Sequence, residues 1–171
     1  PVCTPGAPGP RLLRRLSRTE YDRTIAALFG LDVAYAPGLV ADVVVAGFDN
    51  NARALEVSPL LAEQLRAAAE EVAATVAARP EAACAGDGGT CARAWLETTG
   101  ARVVRRPLTA VEIERWLAVY QVGRAQPDPE VAPHTSGLGL MIAGLLQSPA
   151  FLYRSEIGEL AADGTYPLTS Y

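Results

Sequence analysis

The sequence predicts an all-α protein, a bundle of about five to seven helices joined by long Pro/Gly-rich loops. Three observations predict it. Ser17-Arg-Thr-Glu20 and Thr109-Ala-Val-Glu112 are capping boxes, in which a hydroxyl and a carboxylate three residues apart satisfy backbone N–H groups at a helix start. Arg105-Arg106-Pro107-Leu108-Thr109 leads into the second box, and Pro107 sets the entry. In the phrase Leu146–Glu156, which contains Arg154, Ser148-Pro149 ends one helix and starts another.

The elements follow in order. Residues 1–10 hold four prolines and read as a linker. After Ser17 and Glu20, Tyr21, Ile25, Leu28 and Phe29 form a helical stripe, Leu16 can staple onto it, and Gly30 closes the helix. Residues 31–47 are a loop in which Val43-Val44-Val45 is extended. Gly47-Phe48-Asp49-Asn50-Asn51 is a turn, because Asp and Asn bond their own backbone. Asp49, Asn50 and Asn51 could offer oxygen ligands to Ca²⁺, but their spacing lacks the alternation of an EF-hand loop. Ser58-Pro59 opens a long helix to about Ala78, with Leu61, Leu65, Ala68, Ala69, Val72 and Val76 on its apolar face.

A helix is expected over Cys91–Gly100, with Trp95 and Leu96 inward and an extended or turn-like stretch from Arg102 to Arg106. The next helix carries Ile113, Trp116, Leu117 and Tyr120 on one face. Residues 124–136 read as a Pro-rich loop holding His134, with Ser136 capping a helix over 137–147. A short helix is expected from Ala150 to Ile157, and Tyr166–Tyr171 reads as the approach to another helix. In domain terms, residues 1–10 are a linker, 11–80 an N-terminal helical module, 81–165 a second module packed on the first, and 166–171 the start of a further domain.

Composition excludes several functions. Half of the 171 residues are hydrophobic and 20% are charged, which describes a globular chain with a sizeable core. The most apolar stretch, residues 138–146, is too short to span a bilayer, which needs about 20 residues. Net charge is −4, and every one of the 15 basic residues is Arg. The densest cluster, Arg11, Arg14, Arg15 and Arg18, is broken by leucines and lacks interleaved aromatics, so no nucleic-acid partner is predicted.

Three cysteines are present. The glycines in Cys84-Ala-Gly-Asp-Gly-Gly-Thr-Cys91 let the two Cα atoms approach to the roughly 4.4–6.8 Å of a disulfide. A metal site lacks ligands, since His134 is the one histidine of the chain. A Cys84–Cys91 disulfide implies an oxidising compartment: periplasm, outer surface or exterior. Cys3 is left over.

No Ser/His/Asp set, phosphate loop or metal cluster is visible, so no catalytic, cofactor-binding or metal residue is assigned, and the chain alone is expected to be inactive. Arg105 and Arg106 precede a helix start, where positive charge is disfavoured, and are expected to pair with Glu112 or Glu156. The helical spacing of Trp95, Trp116, Tyr120 and Tyr153 points to core packing rather than to the wall of a redox site completed by other domains. A carbohydrate-binding role would need exposed coplanar aromatics, and the chain is 6% aromatic.

Residues 11–29, the Gly47–Asn51 turn with Ser58-Pro59, and the Arg105–Thr109 and Gln147–Glu156 phrases together resemble one family. Its members are large exported bacterial proteins, common in planctomycetes and myxobacteria, built from successive domains of unknown function and often joined to a cytochrome-c-like domain. The resemblance spans roughly 11–30, 47–60 and 91–171. It implies a helical structural or docking module whose partners are downstream domains of the same parent. It implies no cofactor in this chain, and haem c in the parent protein.

Overall fold

The computed structural model describes residues 13–32, 34–154 and 161–164. The 1–10 linker, Arg11, Glu156 and the 166–171 segment lie outside them. Among the described residues, 61% are helical. Strand β1 (Arg14–Arg15) comes first, followed by α1 (Arg18–Phe29), a 3₁₀ turn (Ala36–Gly38), α2 (Pro59–Ala77) and a second 3₁₀ turn (Pro80–Ala82). Next come α3 (Gly88–Trp95), a π-helical turn (Leu96–Gly100) and α4 (Ala101–Val103), which run on without a break. Helices α5 (Ala110–Ala125), α6 (Pro133–Gln147) and α7 (Pro149–Leu152) lead to strand β2 (Tyr153–Arg154). The two strands pair antiparallel, Arg14 opposite Arg154 and Arg15 opposite Tyr153.

The capping chemistry read from the sequence holds at the starts of α1, α2, α5 and α7, whereas α6 has no side-chain cap and Ser136 lies inside it. Glu20 accepts the Ser17 N–H at 2.9 Å while the Ser17 hydroxyl accepts from the Glu20 N–H. Thr109 and Glu112 repeat the exchange. Ser58 and Ser148 cap α2 and α7, each followed by Pro at the first helical position. Gly30 ends α1 at φ 61°, a left-handed position that suits glycine.

Helix α6 is the centre of the bundle. Leu138, Met141, Ile142, Leu145 and Leu146 are all buried, and α6 packs on both α5 and α2. It is apolar nearly all round, as a helix with neighbours on several sides must be. Helix α2 presents Leu61, Leu65, Ala68, Ala69, Val72, Ala73, Val76 and Ala77 inward. One hydrophobic cluster runs from Leu16 to Leu152 and takes residues from all seven α-helices described.

Three expectations are corrected. The helix expected to stop at Gly100 continues to Val103, because the π-helical turn absorbs Gly100 where a Cβ would lie 3.1 Å from a Leu108 methyl. Helix α6 starts at Pro133 rather than after Ser136, since Pro at the first helical position needs no N–H partner. His134 is therefore helical. The helix expected over Ala150–Ile157 stops at Leu152, where the Leu152 carbonyl accepts the Leu16 N–H at 2.8 Å and the chain turns into β2.

Candidate functional site

The arginine cluster is engaged in holding the fold together. Arg14 forms a bidentate pair with Glu20 at 2.5 and 3.0 Å. Arg15 and Asp42, each 4% exposed, pair at 2.7 Å. The other Asp42 oxygen accepts the Arg18 N–H at 2.6 Å, so one carboxylate ties the 31–58 loop to both β1 and the α1 start. Arg154 lies 3.9 Å from Glu20 across the strand pair.

Arg106 pairs with Glu112 as expected, donating at 2.8 and 2.6 Å. Arg105 does not follow the expectation among the described residues. At φ 59° it turns its guanidinium to the carbonyls of Ala150, Phe151 and Tyr153 and lies 5.7 Å from the Phe151 ring centroid. The open carbonyls at the end of α7 supply the partial negative charge it answers. The proposed pairing with Glu156 lies outside the described residues.

Hydrogen bonds from Arg106, aided by those of Thr109, hold the Glu112 carboxyl down from 4.5 to about 2. The folded value is below the unfolded one, so this contribution is fully present above about pH 4.5 and is lost as pH falls toward 2. Glu112→Gln is expected to lower stability by about 1 kcal/mol or less at pH 7, since the pair is partly exposed. Near pH 2 the variant and the parent should unfold at the same denaturant midpoint.

Asp49, Asn50 and Asn51 sit in the loop before α2, where Asn51 Oδ1 accepts the Arg53 N–H at 3.0 Å. That is the turn function the residue types suggest.

Cys84 and Cys91 are bonded, with their Cα atoms 6.0 Å apart. The bridge closes the loop that Asp87 caps onto α3 through the Thr90 N–H. Reducing it is expected to lower stability by about 2–3 kcal/mol, the loop-closure value for so short a ring. Denaturant midpoints with and without a dithiol check this.

Beside the bridge lies a cleft of about 450 Å³ between the Arg79–Ala83 turn, α3 with its π-helical turn, and α6. Trp95, Thr98 and Thr99 line it from one helical side, Val76 and Leu138 from below, and Arg79, Glu81 and His134 from the flanks. Sequence reasoning missed this grouping, because it set His134 in a loop and ended the helix early.

His134 braces the cleft. Its Nε2 lies 3.2 Å from the Ala82 carbonyl, which only accepts, so Nε2 carries the proton and Nδ1 accepts from the Tyr120 hydroxyl at 2.9 Å. A Cβ at Gly88 would collide with that hydroxyl, so the glycine makes room for the pair. Burial raises the Tyr120 phenol. Both ring nitrogens of His134 are thereby committed to structure. Trp95, Trp116 and Tyr153 pack part-buried against the core, and Tyr120 is fully buried.

No curated protein and no solved structure matches the chain. Two family matches divide it. Residues 14–78 match a protein of unknown function (DUF1587), and residues 91–156 match a protein of unknown function (DUF1595). The break between them falls on the 3₁₀ turn and the disulfide loop. The chain thus carries two successive domains of unknown function, DUF1587 and then DUF1595.

Proposed function

We propose that the chain is a helical docking module of an exported multidomain protein and performs no chemistry of its own. The observation that carries this reading is an apolar loop tip. Val43, Val44, Val45 and Phe48 stand exposed, Phe48 at 66%, with Val57 and Leu60 exposed at the start of α2. Ala46 and Gly47 both have positive φ, and Val45 and Phe48 exchange backbone hydrogen bonds at 2.9 and 3.0 Å. That is a tight hairpin turn of the primed kind, which fixes the apolar side chains instead of letting them collapse. A fixed, exposed apolar group of this sort marks a protein–protein contact.

Adjoining domains of the parent protein are the partner that fits, since tandem domains of one chain meet at high effective concentration. The arginines at 14, 15, 105 and 106 are engaged in internal bonds, which supports a structural use of charge. The disulfide supports export to an oxidising compartment. The role of haem c in the parent rests on the family resemblance alone.

Hydrogen exchange of residues 1–171 with and without the downstream region tests the reading. The amides of residues 43–48 are expected to slow in the longer chain. Unchanged exchange there, or turnover by the short chain that mutation of its own polar residues abolishes, would overturn it.

A further inference from the structure

The geometry points to the cleft beside the disulfide as a binding site for a neutral sugar ring, a role that goes beyond docking. The argument starts from the helix. A π-helical turn is rare and recurs at functional sites, because the extra residue shifts side chains off the regular helical face. Here it begins directly after Trp95 and contains Thr98 and Thr99, and all three line the cleft.

The polar groups that line the cleft together with Trp95 select the ligand. Thr98 donates its hydroxyl proton to the Ala94 carbonyl at 2.8 Å, which leaves the oxygen as an acceptor. Among the described residues the Thr99 hydroxyl has no hydrogen-bond partner, so it can both give and accept. Glu81 offers an exposed carboxylate, and Arg79 lies 3.9 Å from it. This set is poorly suited to an inorganic anion, a metal ion or a wholly apolar ligand. An inorganic anion would face Glu81, and Arg79 is already held by the Phe29 carbonyl at 2.6 Å. Among the described residues no cluster of ligands suited to a metal ion exists. A wholly apolar ligand would strand the Glu81 carboxylate and the Thr99 hydroxyl.

A pyranose satisfies both halves of the site, and a single ring held in a cleft needs one aromatic wall, Trp95, rather than the exposed coplanar set that the sequence lacks. Its C–H face stacks on an aromatic ring, while its equatorial hydroxyls meet paired donors and acceptors. The floor of Val76 and Leu138 takes the apolar edge. The volume lies in the roughly 300–1,000 Å³ range of small-molecule sites. The walls are set in advance, one by the Cys84–Cys91 bridge and the other by the His134–Ala82 hydrogen bond, which lowers the ordering cost of binding.

The test uses the disulfide-bonded chain and follows its two indole N–H resonances while methyl β-glucoside, N-acetylglucosamine or cellotetraose is added. At least one sugar is expected to shift the Trp95 signal saturably, with Kd of about 0.1–10 mM, while Trp116 stays unmoved. Thr99→Val should weaken that binding about tenfold with an unchanged far-UV spectrum, the loss of one hydrogen bond. No saturable shift of Trp95 with any of these sugars at about 50 mM would overturn the inference. So would binding that Thr99→Val leaves intact, or a saturable response to inorganic phosphate alone.

Discussion

Replacing Asp42 with alanine is expected to lower stability by about 3–5 kcal/mol. The carboxylate is 4% exposed and holds the equally buried Arg15 at 2.7 Å. Alanine leaves that guanidinium buried with its partner gone, and Arg15 Nε already lacks a hydrogen bond. The same change removes the acceptor of the Arg18 N–H at the start of α1. A double variant, Arg15→Met with Asp42→Leu, should recover much of the loss, because it removes both charges together. Urea or guanidinium unfolding of the three proteins measures this. A loss below about 1 kcal/mol for Asp42→Ala would show that Arg15 escapes to solvent.

Gly137→Ala is expected to lower stability by about 1–3 kcal/mol, against the helix-propensity gain of about 1 kcal/mol that such a change normally brings. Gly137 lies where α6 crosses α5, and a Cβ there would stand 2.7 Å from the Tyr120 carbonyl oxygen and 2.8 Å from its ring. Gly123 faces the same contact from α5, its own Cβ position 3.0 Å from the Gly137 Cα. The two glycines let the helices touch backbone to backbone. Gly139, two residues on, supplies the control. A Cβ there meets only Ala77 Cβ, at an ordinary 3.9 Å, so Gly139→Ala should be neutral or stabilising by up to about 1 kcal/mol. Thermal or denaturant unfolding of the pair should give opposite signs.

Most of the helix starts were legible in the sequence, because a cap is local chemistry. Ser17 with Glu20, Thr109 with Glu112, and the two Ser-Pro pairs each name their own partner within three residues. Features set by distant neighbours were not legible. A two-residue strand has no periodicity, so Tyr153-Arg154 reads as a continuing helix until Arg14-Arg15 is seen beside it. Pro133 among nearby prolines looks like loop, yet the apolar core around α6 makes it a first helical residue. Arg105 invites a search for carboxylates, and its partners are backbone carbonyls that appear only once α7 has ended. The cleft was hidden for a similar reason. It needs the 3₁₀ turn, the π-helical turn and α6 together, and no single window of sequence holds all three.

The strand pair also sets a clock for biosynthesis. Arg14 finds its partner in Arg154, 140 residues later, and Leu16 waits for the carbonyl of Leu152. At about 5–20 residues per second, a ribosome takes roughly 7–28 s to cover that distance. During this time the DUF1587 region must leave its first strand and the inner face of α2 unsatisfied, because α6 has not yet been made. The nascent half therefore exposes core leucines and valines to whatever accompanies it through synthesis. Its final closure belongs to the moment after the DUF1595 region is complete.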